Sequence, residues 1–164
     1  MGHLAASEDH GAERKPISFL RSQSNEFQGQ VSPDGHWIAY TSDESGQREV
    51  YVRPFPAAEG KWKISTMGGD QPRWRGDRKE LFYSTADGKI TAVAIKVSGG
   101  PKPSFDAGIP VTLFDSRMAA PGPDSLFQYD VTADGRRFLL VTTNVPAAAP
   151  PLTVVVNWNA GLKK

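Results

Sequence analysis

The chain has 164 residues, 38% hydrophobic and 23% charged, a length and make-up that suit one globular domain rather than a disordered segment. Nineteen Lys and Arg against 18 Asp and Glu leave a formal net charge of +1, which offers no electrostatic footprint for a phosphate backbone or an anionic membrane surface and argues against nucleic acid as a partner. The absence of Cys excludes disulfides, thiolate metal sites and thiol catalysis, and it fits a reducing or an oxidising compartment equally.

Residues 1–15, MGHLAASEDHGAERK, are polar and carry no apolar run, so they predict a disordered tail, with no signal peptide and no membrane insertion. His3, Glu8, Asp9 and His10 lie in it and read as solvated, not as metal ligands. Residues 16–20 then predict an isolated strand. The next stretch alternates as strands do: 26–32, Trp37 to Ser42, Glu49 to Pro54 and Lys61 to Thr66, separated by the turns Ser-Pro-Asp-Gly at 32–35 and Asp-Glu-Ser-Gly-Gln at 43–47. A second stretch repeats the order with Gln71 to Trp74, Glu80 to Thr85, a hairpin turn at 86–89 and Ile90 to Lys96. Its outer strand, Val111 to Phe114, is delayed by a Gly- and Pro-rich segment, 97–110, that predicts a long loop, and a second loop follows at 115–125. The third stretch offers Phe127 to Thr132, Arg137 to Thr143, a Pro-rich loop at 146–151 and Leu152 to Trp158. No window outside the tail has a helical period.

The three stretches are copies of one phrase: VSPDGHWIAYTS from Val31, WRGDRKELFYST from Trp74 and VTADGRRFLLVT from Val131. Aligned on Asp34, Asp77 and Asp134, they stand 43 and 57 residues apart, and a Gln precedes each at the same distance: Gln28, Gln71 and Gln128. A period of roughly 40 to 45 residues is the signature of a β-propeller, in which a four-stranded antiparallel blade is repeated about an axis. The chain therefore predicts an all-β fold of about three blades: 26–66, 70–114 and 125–158. Residues 16–20 supply an outer strand to complete the last blade, and 159–164 form a C-terminal tail. Propellers close with about four to eight blades, so a half-propeller of three predicts self-association, two copies forming one six-bladed ring about a twofold axis. A piece of a longer propeller is the alternative.

Candidate sites follow from this layout. Asp34, Gly35, Asp77, Asp134 and Gly135 read as structural turn residues, the carboxylates accepting backbone N–H groups. Ser32, Asp34 and His36 contain the residue types of a nucleophilic triad, but crowded on one turn they lack a base held between nucleophile and acid. The 43–46 turn lacks the oxygen spacing of a calcium loop. The starts of the innermost strands line a propeller's channel, so Gln28, Gln71 and Gln128, with Gln30, Arg73 and Asp130 two positions on, predict a polar ring able to hold a peptide or an anionic small molecule. The competing reading gives those amides to neighbouring backbone groups. Trp37, Trp62, Trp74 and Trp158, with Tyr40, Phe82, Tyr83 and Phe138, read as packing between blades.

The phrase FQGQVSPDGHWIAYTSDESGQREVYVRPFP resembles the TolB-like, WD40-like (PD40) propeller repeats, through Pro33, Asp34, Gly35, Ile38, Ala39, Tyr40, Gly46, Val50 and Tyr51. The second copy departs at Arg75-Gly76-Asp77-Arg78, and Ala133 replaces the Pro of the third. The ending LTVVVNWNAGLKK is similar to the C-termini of bacterial multidomain proteins, serine/threonine kinases among them, that end in such a propeller. The resemblance implies a bacterial, commonly extracytoplasmic (periplasmic) scaffold or sensor that binds proteins or small ligands; separately, Gln at the inner-strand starts and only three His in the chain predict no metal and no cofactor. Two alternatives remain at this point: a lactonase- or lyase-type propeller enzyme with a metal in its channel, and the detached sensor end of a kinase-like receptor. No kinase motif and no Gly-x-Ser-x-Gly elbow occurs in the chain.

Overall fold

The computed structural model describes residues 3–7, 16–56, 59–98, 104–118, 126–142 and 152–156, and all regular structure among them is β-strand. Strands β1 (His3–Ser7) and β2 (Pro16–Arg21) form an antiparallel pair. The first repeat is a four-stranded antiparallel sheet, β3 (Glu26–Val31), β4 (Trp37–Ser42), β5 (Glu49–Pro54) and β6 (Trp62–Lys63), in chain order. The second contains β7 (Asp70–Trp74), β8 (Glu80–Ser84), β9 (Lys89–Ser98), β10 (Ser104–Ala107) and β11 (Val111–Asp115). The third has β12 (Tyr129–Val131), β13 (Arg137–Val141) and β14 (Leu152–Val156), three strands among the described residues.

Two expectations are corrected. The segment 97–110 is not one long loop: β9 runs through Ser98, and β10 pairs with its second half while β11 pairs with its first. Phe105 is the reason, because its buried ring packs 5.1 Å from Trp37 and 5.5 Å from Trp62 and so fixes β10 across the neighbouring sheet. Residues 3–7 are not a disordered tail either. They pair with β2 in the register Leu4↔Leu20 and Ala6↔Ile17, giving hydrogen-bond partners to a strand that has none in the third sheet of this chain. His10 with Glu8 and Asp9, the loop at 146–151, Trp158 and the tail at 159–164 lie outside the described residues.

Packing follows from strand alternation, since successive side chains leave a strand on opposite faces. From the first sheet, Trp37, Ala39, Val50 and Val52 meet Leu81, Tyr83, Val93 and Ile95 of the second. From the other face of the second sheet, Phe82, Ile90 and Ala92 meet Tyr129, Phe138 and Leu140 of the third, with Phe82 edge-on to Phe138 at 5.1 Å. The remaining face of the first sheet buries Ile38, Tyr40 and Tyr51 against Leu20, with the Phe19 ring tilted against Phe55 at 5.3 Å. β4 and β8 are thus covered on both faces, and each fully buried aromatic or aliphatic side chain contributes about 1.5–3 kcal/mol of transfer free energy.

The turns explain the repeated phrase. In the first, Gly35 (φ 75°) donates to the carbonyl of Ser32 at 2.8 Å, while the Ser32 hydroxyl bonds Asp34 at 2.5 Å and accepts the Trp37 N–H at 3.0 Å. The third turn repeats this with Thr132, Asp134 and Gly135 (φ 70°). In the second, Arg78 holds the left-handed position (φ 63°), and Gly76 lies where the first copy has Pro33. Gly76 is needed there for proximity: a Cβ on it would stand 2.8 Å from the Ala133 carbonyl oxygen, to which its N–H donates at 2.9 Å.

Candidate functional site

The three glutamines join the sheets to one another. Gln28 and Gln71 both sit at bulges with left-handed backbones, φ 53° and 57°, where the register slips between Phe27 and Gln30 and between Asp70 and Arg73. There the Gln28 side-chain oxygen accepts the Gln71 backbone N–H at 2.9 Å and the Thr41 hydroxyl at 3.3 Å. The Gln71 side chain accepts the Gln128 N–H at 2.5 Å and donates to the Gln128 side-chain oxygen at 3.0 Å. Gln71 is fully buried, so its amide has no surface to present to a ligand.

The bulges also redirect Gln30 and Arg73, which stand opposite Ala39 and Phe82 in their hairpins and so project toward the following sheet and not toward a shared axis. Asp130 stands opposite Leu139 in a hairpin whose register runs without a slip. Gln30 bonds the Gly29 carbonyl through its amide, and its own carbonyl accepts the Trp74 indole N–H at 3.0 Å. Arg73 lies 3.4 Å over the Phe127 ring with its Nε 3.2 Å from Asp130, and burial pulls its pKa below the usual guanidinium value against the opposing pull of Asp130.

A polar cluster that the repeat pattern did not mark lies beside Gln71. Glu49 is buried and accepts from Ser65, from the Gly68 N–H at 3.2 Å and from Gln47 at 2.8 Å, with Lys63 2.9 Å away. Burial alone would raise its pKa, but the hydrogen bonds from Ser65, Lys63, Gln47 and Gly68 outweigh that and hold it below the usual carboxylate value. Asp70 pairs with Arg48 at 2.8 Å. Both acids join neighbouring chain segments and are spent on that.

The other sequence candidates are also internally engaged. The Ser32 hydroxyl is committed to its turn, and His36 reaches Asp34 through its backbone N–H. Asp43 binds the backbone and side chain of Asn25, both at 2.8 Å, and these bonds lower its pKa. Among the described residues, no three His, Asp or Glu stand close enough together to hold a metal ion.

One surface is left without a cover. On β13, Phe138 and Leu140 are buried against the second sheet, whereas Leu139 and Val141 are 44% and 47% exposed on the opposite face. A cavity of about 340 Å³ opens there, lined by Asp130, Val131, Thr132, Arg137, Phe138 and Leu139.

This arrangement of sheets stacked face to face has counterparts among solved structures. Oligogalacturonate lyase from Vibrio parahaemolyticus, a propeller, superposes with a TM-score of 0.50 at 10% identity, over 85% of this chain and 36% of that one. The fold is a partial β-propeller. TolB from Acinetobacter baumannii, also a propeller, gives a TM-score of 0.44 at 17% identity, over 90% of this chain and 45% of its own. The chain thus spans between about a third and a half of the length of either structure. No protein-family model matches the chain, and no curated protein matches it.

In propeller terms the sheets are blades one to three, and the glutamines are ties between successive blades near their innermost strands. The exposed Leu139 and Val141 correspond by the repeat to Phe82 and Ser84 of blade two and to Ala39 and Thr41 of blade one, all buried beneath the next blade. They are therefore the forward face of blade three. A signal for it stood in the sequence: Phe-Leu-Leu-Val at 138–141 is apolar at every position, the pattern of a strand that is buried on both faces.

Proposed function

We propose that this chain is a non-catalytic propeller module that binds protein, its own kind included, through the forward face of blade three. The observation that carries the reading is the exposure of Leu139 and Val141 at positions whose counterparts in blades one and two are at most 3% exposed. An apolar sheet face rimmed by Asp130 and Arg137 has the make-up of a protein-contact surface, with an apolar centre and a charged edge. The competing class, a channel-metal lyase or lactonase, needs ligating groups at the starts of the innermost strands. Those positions hold Gln28, Gln71 and Gln128, whose amides are engaged in blade-to-blade ties.

A solvatochromic apolar dye together with metal analysis of the purified chain tests this reading. Dye binding is expected to fall sharply in the double variant Leu139→Asp, Val141→Asp, with no stoichiometric metal in the parent. Dye binding indifferent to both substitutions, or one tightly held ion per chain, overturns it.

A further inference from the structure

Blade three and β2 each lack what the other has. Among the described residues blade three stops at β14, whose outer edge is unpaired, while β2 is the strand of an incomplete sheet that packs Leu20 on Ile38, Tyr40 and Tyr51 as a preceding blade would. β1 pairs antiparallel with β2 and lies against the innermost strand β3. That is the slot, direction and length of a third blade strand: β1 and β14 are both five residues.

We propose that two copies of this chain assemble about a twofold axis, β14 of each displacing β1 from β2 of the other, so that β1 is a built-in competitor for the assembly edge. The proposal rests on reading the forward face of blade three as a protein-contact surface, and adds the occupant. Six blades then close the ring, within the range propellers use, and the symmetry is closed. The charges agree as well. Asp130 holds in blade three the place of Arg73 in blade two, and Arg73 faces Phe127. The counterpart of Phe127 in blade one is Phe27, over which Arg48 lies at 4.4 Å, so the ring brings Asp130 of one copy, already beside its own Arg73, toward Arg48 of the other, already paired with Asp70, and extends both pairs across the contact.

Light scattering over a wide concentration range, on the full chain and two variants, decides the matter. The parent is expected to shift from 17.8 kDa toward twice that mass with rising concentration. Ala5→Pro with Ala6→Pro removes two successive N–H groups, one on each edge of β1, and should move the transition to about tenfold lower concentration by weakening the competitor. Leu139→Asp should return the mass to 17.8 kDa with unchanged far-UV circular dichroism. A single-chain mass for both the parent and the proline variant overturns the second copy as occupant while leaving a contact surface for another protein. A dimer indifferent to Leu139→Asp overturns the interface while leaving self-association.

Discussion

Gln71 and Gln128, 57 residues apart in the chain, clasp each other: the Gln71 amide oxygen takes the Gln128 backbone N–H at 2.5 Å and its amide nitrogen donates to the Gln128 side chain at 3.0 Å. The clasp crosses from blade two to blade three in a buried setting, where an amide left without its partner costs far more than one facing water. Replacing Gln71 with Met keeps the volume and strips the hydrogen bonds. We expect a loss of about 2 kcal/mol, read as a lower urea midpoint with an unchanged slope. Gln30→Met should move the midpoint little, because the Gln30 amide bonds only the adjacent carbonyl.

Glu49 predicts an acid-sensitive step. Its folded-state pKa is depressed, so the stability it contributes is complete above the unfolded value near 4.3 and is lost as pH falls through the lower folded value. Glu49→Gln should cost about 1–3 kcal/mol at pH 7, since the bonds from Lys63 and Ser65 lose their charge assistance. It should also flatten the decline in stability below about pH 4. Denaturant titrations at several pH values compare the two slopes.

Arg78 occupies a left-handed position that glycine fills in the other two turns, and its guanidinium pairs with Asp34 of blade one. A non-glycine residue there costs about 1–2 kcal/mol, while a partly exposed ion pair returns about 0–1 kcal/mol. Arg78→Gly is therefore expected to stabilise the chain by about 0.5–1 kcal/mol. Arg78→Ala, which keeps the strain and loses the pair, should destabilise it slightly. Thermal melts of the two variants should shift in opposite directions.

Gly76 tests how closely two blades approach at their turns. An added methyl would meet both the oxygen and the Cβ of Ala133, at 2.8 and 2.9 Å, so Gly76→Ala should cost about 1–3 kcal/mol by overpacking. Ala133→Gly in the same chain should restore only part of that, because the carbonyl oxygen remains. Urea midpoints of the single and double variants give the comparison.

Much of the architecture was legible because it is written locally. The Asp-containing turns, the alternation in WIAYTS and ELFYST and the spacing of the three copies each depend on a few adjacent residues, and those strands lie where the pattern places them. The glutamines were legible as a recurrence, but their geometry was not. Left-handed backbones at Gln28 and Gln71 reverse the face that simple alternation assigns to Gln30 and Arg73, and both side-chain oxygens then accept a backbone N–H from the next blade. Glu49 was hidden for a similar reason, since its partners Ser65 and Gly68 belong to a later connection and meet it only when the first blade closes.

By itself the sequence determined a repeating all-β chain of three units, because turn chemistry and side-chain alternation act over a handful of neighbouring residues. Tertiary structure decided which polar residues are spent and which face stays open. Gln71, at a recurrent position that suggested a ligand, is fully buried as a tie between blades, whereas Leu139, inside an ordinary apolar strand, faces outward. Burial of that kind is a property of stacked sheets: a side chain's surroundings are set by the blade beside it, which lies dozens of residues away in the chain.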